Sequence, residues 1–327
     1  MLHRFMASTR DEDRLLSLLI SAIKKRIIQP GDPVIMRKSV SLLFFVLSGG
    51  LQAQTDYDAI RITATDVLPG IWYLQGDGGN IGLSTGEDGV FIIDDQFAPL
   101  TEKIKAKIAE FSSEPVKFVI NSHFHFDHSD GNENFGAGGA IIIAHENARI
   151  RMSEDHVISI LELDQLAYDE TGLPEITFTE DMSLHFNGHT VQLHHFGPGH
   201  TDTDAVIHFV EANVIHTGDV FVRYGLPFID VPNGGNLNGM IRVMHGIIGL
   251  ADENTKIIPG HGELASRADM VAYVSMLETI RDRVYEGIKA GMTLSQITAT
   301  EPTRGFAGGG FLNNENFTKI AYDSFFK

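Results

Sequence analysis

One stretch limits the fold more than any other. Residues 116–120 read VKFVI, and NSHFHFDHSDG follows at 121–131. A short apolar run bounded by turn-forming residues is a buried strand. At its C-terminal end stand His123, His125, Asp127 and His128, all within six positions. Side chains two apart on an extended strand end point the same way, so His123 and His125 can reach one ion. Asp127 and His128 come after a turn and can face a second ion nearby. The chain has no cysteine. That leaves imidazole nitrogen and carboxylate oxygen as its metal donors and removes thiol nucleophiles and disulfides.

Two ions need more than four ligands. Three further sites put a histidine or aspartate just past a strand, on a turn where glycine lets the backbone bend. They are GPGHT at 197–201 after a strand at 190–194, TGD at 217–219 after 214–216, and PGHG at 259–262 after 256–258. Together these supply His200, Asp219 and His261. A natural division places His123, His125 and His200 on one ion and Asp127, His128 and His261 on the other, with Asp219 bridging. The other histidines lack this context. His194 and His195 are adjacent and face opposite sides of a strand, His216 reads as packed within a strand, and His145, His156, His185, His189, His208 and His245 read as structural.

The remaining pattern is alternating. Strands are expected at 71–75, 81–85, 90–93, 117–120, 140–144, 176–178, 182–186, 190–194, 205–210, 214–216 and 256–258, and helices at 99–111, 145–152, 155–170, 237–250 and 266–290. Asn187-Gly188 reads as a hairpin turn. The glycine-rich loop at 76–80 is expected to overhang the site and to move. Each half runs strands, helix, strand, helix, which suits an α/β protein whose function gathers in loops at strand ends. The domain is expected to span 54–300, with 301–327 either a flexible tail or a docked helix.

Residues 1–53 differ. Met36-Arg37-Lys38 is a short basic start, VSLLFFVL at 40–47 an apolar core, and Leu51-Gln52-Ala53 a small-residue end. This is the layout of a secretory signal peptide, and the apolar run is too short to span a bilayer. The expectation is translation from Met36, with 1–35 upstream of it, a periplasmic or secreted product and no stable membrane anchor. A net charge of −18 weighs against general nucleic-acid binding. The expected partner is a small-molecule substrate, and the oligomeric state stays open.

HFHFDH at 123–128, GPGHT, TGD and PGHG resemble the metal motifs of the metallo-β-lactamase superfamily. Asp94, after the strand at 90–93, matches that family's early aspartate, which braces the metal loop. The resemblance runs from about residue 66 to 290. It implies an α/β fold, an αβ/βα four-layer sandwich with two Zn2+ in a groove between the two sheets. Within the family the sequence is mixed. Gly-Asn-Ile-Gly at 79–82, GPGHT, and Gly235-Asn236-Leu237 resemble class B β-lactamases. Those enzymes carry Cys where this chain has Asp219, and they lack a histidine at the position of His128. His128 with Asp219 resembles glyoxalase II and lactonases instead. The family's substrate-holding lysine has no match in Val220-Phe221-Val222-Arg223, where Arg223 is the candidate substitute. Asn236 is a candidate oxyanion donor or, equally, a helix cap. The implied activity is hydrolysis of a carbonyl compound by hydroxide supplied at the metals, with Asp127 orienting the water. A β-lactam-like amide is the best-named substrate, and a lactone, thioester or phosphoester the alternative. A mononuclear Fe2+ oxygenase is the alternative of another class.

Overall fold

A computed structural model of the chain describes residues 55–158, 163–306 and 312–326. The expected signal segment and the start at Met36 lie outside the described residues. The first sheet has seven strands. These are β1 (Thr63–Leu68), β2 (Ile71–Gln75), β3 (Ile81–Gly86), β4 (Gly89–Ile93), β5 (Val116–Ile120), β6 (Ile141–His145) and, after a separate hairpin of β7 (His156–Ile158) and β8 (Leu163–Gln165), β9 (Ile176–Phe178). The second has six: β10 (Asp181–Phe186), β11 (His189–His194), β12 (Val206–Phe209), β13 (Val214–His216), β14 (Lys256–Ile258) and β15 (Ala265–Ser266). The helices are α1 (Thr101–Ile108), α2 (Phe126–Ser129), α3 (Asn132–Gly136), α4 (Glu146–Met152), α5 (Leu237–Leu250), α6 (Arg267–Lys289), α7 (Leu294–Ala299) and α8 (Asn314–Asp323). Among the described residues no helix is long and apolar enough to cross a membrane.

The two-residue period of β4 explains the layering. Phe91 and Ile93 point between the sheets, where they join Ile120, Ile143, Val191, Leu193, Ile207 and Phe209. Val90 and Ile92 point the other way, onto Ile104 and Ile108 of α1. On the second sheet Ile215 and Ile257 pack with Met240, Met244 and Ile247 of α5 and with Leu277 and Ile280 of α6. A central strand apolar on both faces must be covered on both, so the result is helix, sheet, sheet, helix. Strands β4, β5, β6 and β9 run parallel, as do β13 and β14. Helix α1 lies between β4 and β5, and α5 between β13 and β14. The C-terminal ends of β4 and β5 therefore fall on one edge of the first sheet.

Most expected elements are present, and the β10–β11 turn carries positive φ at Asn187 and Gly188 (53° and 76°) as that dipeptide predicts. One expectation fails. Among the described residues of 155–170 there is a strand pair in place of the expected helix: β7 and β8 pair there, with Ile158 and Gln165 buried and Val157 and Asp164 outward. Alternation every two residues won because Gln165 Nε2 donates to Phe124 O (2.7 Å) beneath the metal loop. The unexpected strand β1 is an edge strand, TATDVL, with a register shift near Asp66. Its mostly exposed side chains give no apolar signal.

The C-terminal segment is a docked helix. Asn313 caps α8 through Asn316 N (2.7 Å), and Phe317, Ile320 and Ala321 enter the same cluster as α5 and α6. Ser324 Oγ accepts from Leu237 N at 3.1 Å. Phe317 is fully buried, so Phe317→Ala is expected to destabilise the protein by about 3–5 kcal/mol in denaturant unfolding. A loss below about 1 kcal/mol would mean that α8 is dispensable to the core.

Candidate metal centre

The centre grows from the ends of β4 and β5. Asp94 follows β4 with φ at 64°, and Gln96 with φ at 58°, both in the left-handed region that few side chains adopt. This bend turns the Asp94 carboxylate under the next strand's loop. Its Oδ1 accepts from Ser122 N (2.6 Å), and its Oδ2 accepts from Ser122 Oγ (2.7 Å) and faces His128 Nδ1 (2.8 Å). The chain stays extended through His125 and then turns into α2. That single turn swings Asp127 and His128 away from His123 and His125.

All seven expected donors meet. His123, His125 and His200 offer nitrogens that lie within 4.8 Å of one another, as do the donor atoms of Asp127, His128 and His261. His123, His128 and Asp219 form a third such set between them. His200 Nε2 is 2.9 Å from His125 Nδ1, and His128 Nε2 is 3.3 Å from His261 Nε2. Asp127 Oδ2 lies 3.2 Å from His261 Nε2 and 3.6 Å from His128 Nε2. Asp219 stands in the middle, with Oδ1 3.2 Å from His128 Nε2 and 3.4 Å from His261 Nε2, and Oδ2 3.9 Å from His200 Nε2. His123 Nε2 is buried with no hydrogen-bond partner, and Asp219 Oδ1 is buried without a hydrogen bond despite its close imidazoles. Buried polar atoms are rarely left so. Five imidazoles and two carboxylates arranged in this way fit a pair of metal ions with nitrogen and oxygen ligands.

Four of the rings are fixed by their other nitrogen. His123 Nδ1 meets Ser122 Oγ (3.0 Å), His125 Nε2 meets Asp230 Oδ2 (3.0 Å), His128 Nδ1 meets Asp94, and His200 Nδ1 meets Phe228 O (2.8 Å). Such outer contacts set the ring's orientation and leave the inward nitrogen to bind. Asp230 was not foreseen. Asp230 caps a short turn, its Oδ1 accepting from Asn233 N (3.3 Å), but nothing local in the sequence marks it as a partner of His125, 105 residues away. Tyr224 is also new: its ring lies 5.6 Å from that of His261.

Two glycines make the crowding tolerable. A Cβ at Gly79 would sit 2.1 Å from the His128 ring, and one at Gly260 2.0 Å from Asp219 Oδ1. The loop at 76–80 was expected to move, yet its inner half is clamped. Gly79 N donates to Asp127 O and Asn80 N to Gly260 O (2.9 and 2.7 Å). Asn80 Nδ2 donates to Pro259 O and Gly262 O (both 2.8 Å). The glycines serve close approach rather than motion. Asn236 is the N-cap of α5, its Oδ1 accepting from Gly239 N at 2.6 Å. Arg223 is exposed, and its Nη1 turns to Leu264 O (3.3 Å) and Asp269 Oδ2 (3.4 Å). His216 is buried against Asn80 O (3.0 Å), and His145 stacks on His195 at 3.9 Å.

The two halves differ in charge. Burial, with the charge of His125, lowers the pKa of His200 to about 4. Burial and the neighbouring His128 and His200 hold His123 well below its usual value. These are neutral, ligand-ready rings. In the other half burial also opposes charge, but the carboxylates prevail. Asp219 and Asp127 raise His261 to about 10, and Asp127, Asp219 and Asp94 raise His128. Asp127, despite burial, falls to about 2 beside His128 and His261.

Two outcomes follow from this arrangement. Asp230→Ala frees the outer nitrogen of His125 and is expected to weaken metal binding about 10–100-fold in competition with a chelator; unchanged affinity would mean that packing alone orients the ring. Without metal at pH 8, above the usual imidazole pKa yet below that of His261, the second half holds protons that a metal must displace. Metal loading is therefore expected to release at least about one proton per chain, from His261, with His128 raised in the same direction. Titration calorimetry in buffers of different ionisation enthalpy reads that number, and zero release contradicts the charge assignment.

The sequence matches the family model of the metallo-beta-lactamase superfamily over residues 74–262. No curated protein matches it. Among solved structures it is similar to a metallo-beta-lactamase from Pontibacter korlensis, with 16% identity, a TM-score of 0.55, and coverage of 67% of this chain and 99% of that one. The DIM-1 metallo-beta-lactamase gives 15% identity, a TM-score of 0.55, and 67% and 99% coverage. The sec-alkylsulfatase Pisa1 from Pseudomonas sp. gives 14% identity and a TM-score of 0.61 over 80% of this chain, which spans only 50% of that enzyme. At such identities the likeness establishes the fold alone. The family match covers more than half of the chain, and the chain belongs to the metallo-beta-lactamase superfamily.

Proposed function

We propose that this protein is a zinc-dependent hydrolase that cleaves a carbonyl compound, an amide of the β-lactam type or an ester such as a lactone. One observation carries the reading. Seven nitrogen and oxygen donors form two halves joined by Asp219, and only Asp127 and His261 open to solvent, each side chain 23% exposed. Bound there, two metal ions would lower the pKa of water enough to supply hydroxide near neutral pH and would polarise a substrate oxygen. The chain's own groups do the rest. Asp127, ionised and at the opening, orients the attacking water and takes up its proton. Asp219 fixes the separation of the two halves. Asp94 and Asp230 keep His128 and His125 aimed inward. Neither serine flanking the donors serves as nucleophile: Ser122 Oγ donates to Asp94, and Ser129 Oγ donates to main-chain oxygens.

The same donors suit thioester or phosphoester hydrolysis. His123, His128 and Asp219 also have the two-histidine, one-carboxylate composition of mononuclear Fe2+ oxygenases, which favours that as the second reading. Export belongs to the proposal too, on the pattern at 36–53. Elemental analysis of the purified protein, with a panel of a chromogenic β-lactam, a lactone, a thioester and a phosphodiester, separates these. About two zinc ions per chain are expected. His123→Ala is expected to lose about one of them and to cut kcat/KM by about a thousandfold. About one iron per chain with no hydrolysis would overturn the zinc hydrolase in favour of the oxygenase.

A further inference from the structure

We propose that Arg151, on α4 and outside the donor set, is a positioning residue of the metal centre that sets the His125 ring through Asn233 and Asp230. The proposal rests on the metal-binding part of the function proposed above and is independent of which bond is cleaved.

Helix α4 starts where β6 ends, on the same sheet edge as the metal loop that follows β5, and Arg151 lies in its last turn. Arg151 Nε donates to Asp202 Oδ1 and Nη2 to Asp202 Oδ2, both at 2.6 Å. Such a fork fixes the plane of the guanidinium. Nη1 is then aimed at Asn233 Oδ1 (2.9 Å). Asn233 Nδ2 donates to Asp230 Oδ2 (2.7 Å), and that same oxygen meets His125 Nε2 at 3.0 Å. One unbroken line of contacts, none longer than 3.0 Å, thus runs from the helix to a donor ring.

The line has a direction. A guanidinium only donates, and an ionised carboxylate only accepts. Asn233 stands between one of each, so its amide faces one way, oxygen to Arg151 and nitrogen to Asp230. Without Arg151, nothing in the line opposes a half-turn that would set the amide oxygen against the carboxylate. With the amide fixed, Asp230 keeps its oxygen on His125 Nε2. That nitrogen carries the proton, and Nδ1 stays bare toward His123 and His200.

Burial separates this arrangement from an ordinary surface ion pair. The Arg151 and Asp202 side chains are only 18% and 24% exposed, and Asn233 and Asp230 are buried. The guanidinium lies over the ring of Phe124, 5.5 Å from its centroid, and the buried Phe124 stands between His123 and His125 in the chain. A lysine at 151 would supply charge without the planar fork. Asp202 lies two residues past His200, so the ion pair also braces that loop. The arm through Asn233 is separable, because Asn233→Leu leaves the pair in place.

The first readout needs no metal. Histidine-selective nitrogen NMR on the metal-free full chain is expected to show His125 in the Nε2–H tautomer. Arg151→Met and Asn233→Leu are each expected to mix the two tautomers, which a merely structural role would not do. An unchanged tautomer in either variant overturns the proposal. Asn233→Leu keeps the ion pair and so guards against a folding defect in Arg151→Met. The second readout is Zn2+ affinity by chelator competition. Asn233→Leu is expected to weaken one of the two ions about tenfold. In an Asp230→Ala background the same change is expected to cost about twofold or less, because its route to His125 is already cut. A larger further loss overturns the proposal. If the native chain binds no zinc, the zinc hydrolase fails and the tautomers still decide the role of Arg151. Zinc-dependent hydrolysis with unchanged tautomers does the reverse.

Discussion

Seven donor groups are pressed together at one buried edge of the sandwich, and holding them there is the constraint to which the surrounding structure answers. The facing imidazole nitrogens of His125 and His200, 2.9 Å apart, cannot both carry protons. Each must be oriented, and each must be compensated by a metal or by a carboxylate. The left-handed backbone at Asp94, the short turn α2, the bare glycines at 79 and 260 and the buried Asp230 serve that one requirement. Backbone strain of this kind persists only where the surroundings over-determine it, and here the fixed rings provide that.

The fold supplies the geometry. Parallel strands with crossover helices bring the ends of β4 and β5 to one edge. On the other sheet β13 and β14 run parallel in the same way and deliver Asp219 and His261. The main chain then ties the two sheets together across the site. Asn80 N donates to Gly260 O, and Ala205 N to Ser122 O. Packing between the sheets and bonding across their edge therefore support each other, which is how a loop-built site acquires the stiffness of its scaffold.

What the sequence disclosed, and what it hid, divides along the same lines. The donors were legible because each sits just past an apolar strand with glycine or a turn beside it, a pattern that is local. The layering was legible from runs such as GVFII, apolar on both faces. Asp230 was not, because its contact with His125 is made only in three dimensions and its local role as a cap accounts fully for its presence. The glycine loop at 76–80 was read as mobile because glycine allows both freedom and close approach, and only the position of the His128 ring decides between them. Residues 155–170 failed for a related reason. Their apolar positions suit a helix face as well as a strand pair, and Phe124 O, which fixes Gln165, lies 41 residues upstream. The pattern at 36–53 falls outside the described residues.

Charge balance explains how such a cluster can fold before a metal arrives. In the half formed by His123, His125 and His200, burial holds His123 and His200 neutral, so no carboxylate is needed close by. In the other half, Asp127 and Asp219 stay ionised, and His128 and His261 take up protons to match them. The two carboxylates then face imidazoles whose protonation they favour, which offsets buried negative charge. A metal bound there would displace those protons, and the outer nitrogens of His123, His125, His128 and His200 are already tied. The Asp219 carboxylate is common to both conditions, with oxygens toward each half. A neutral amide there would leave His128 and His261 short of the negative charge that raises them.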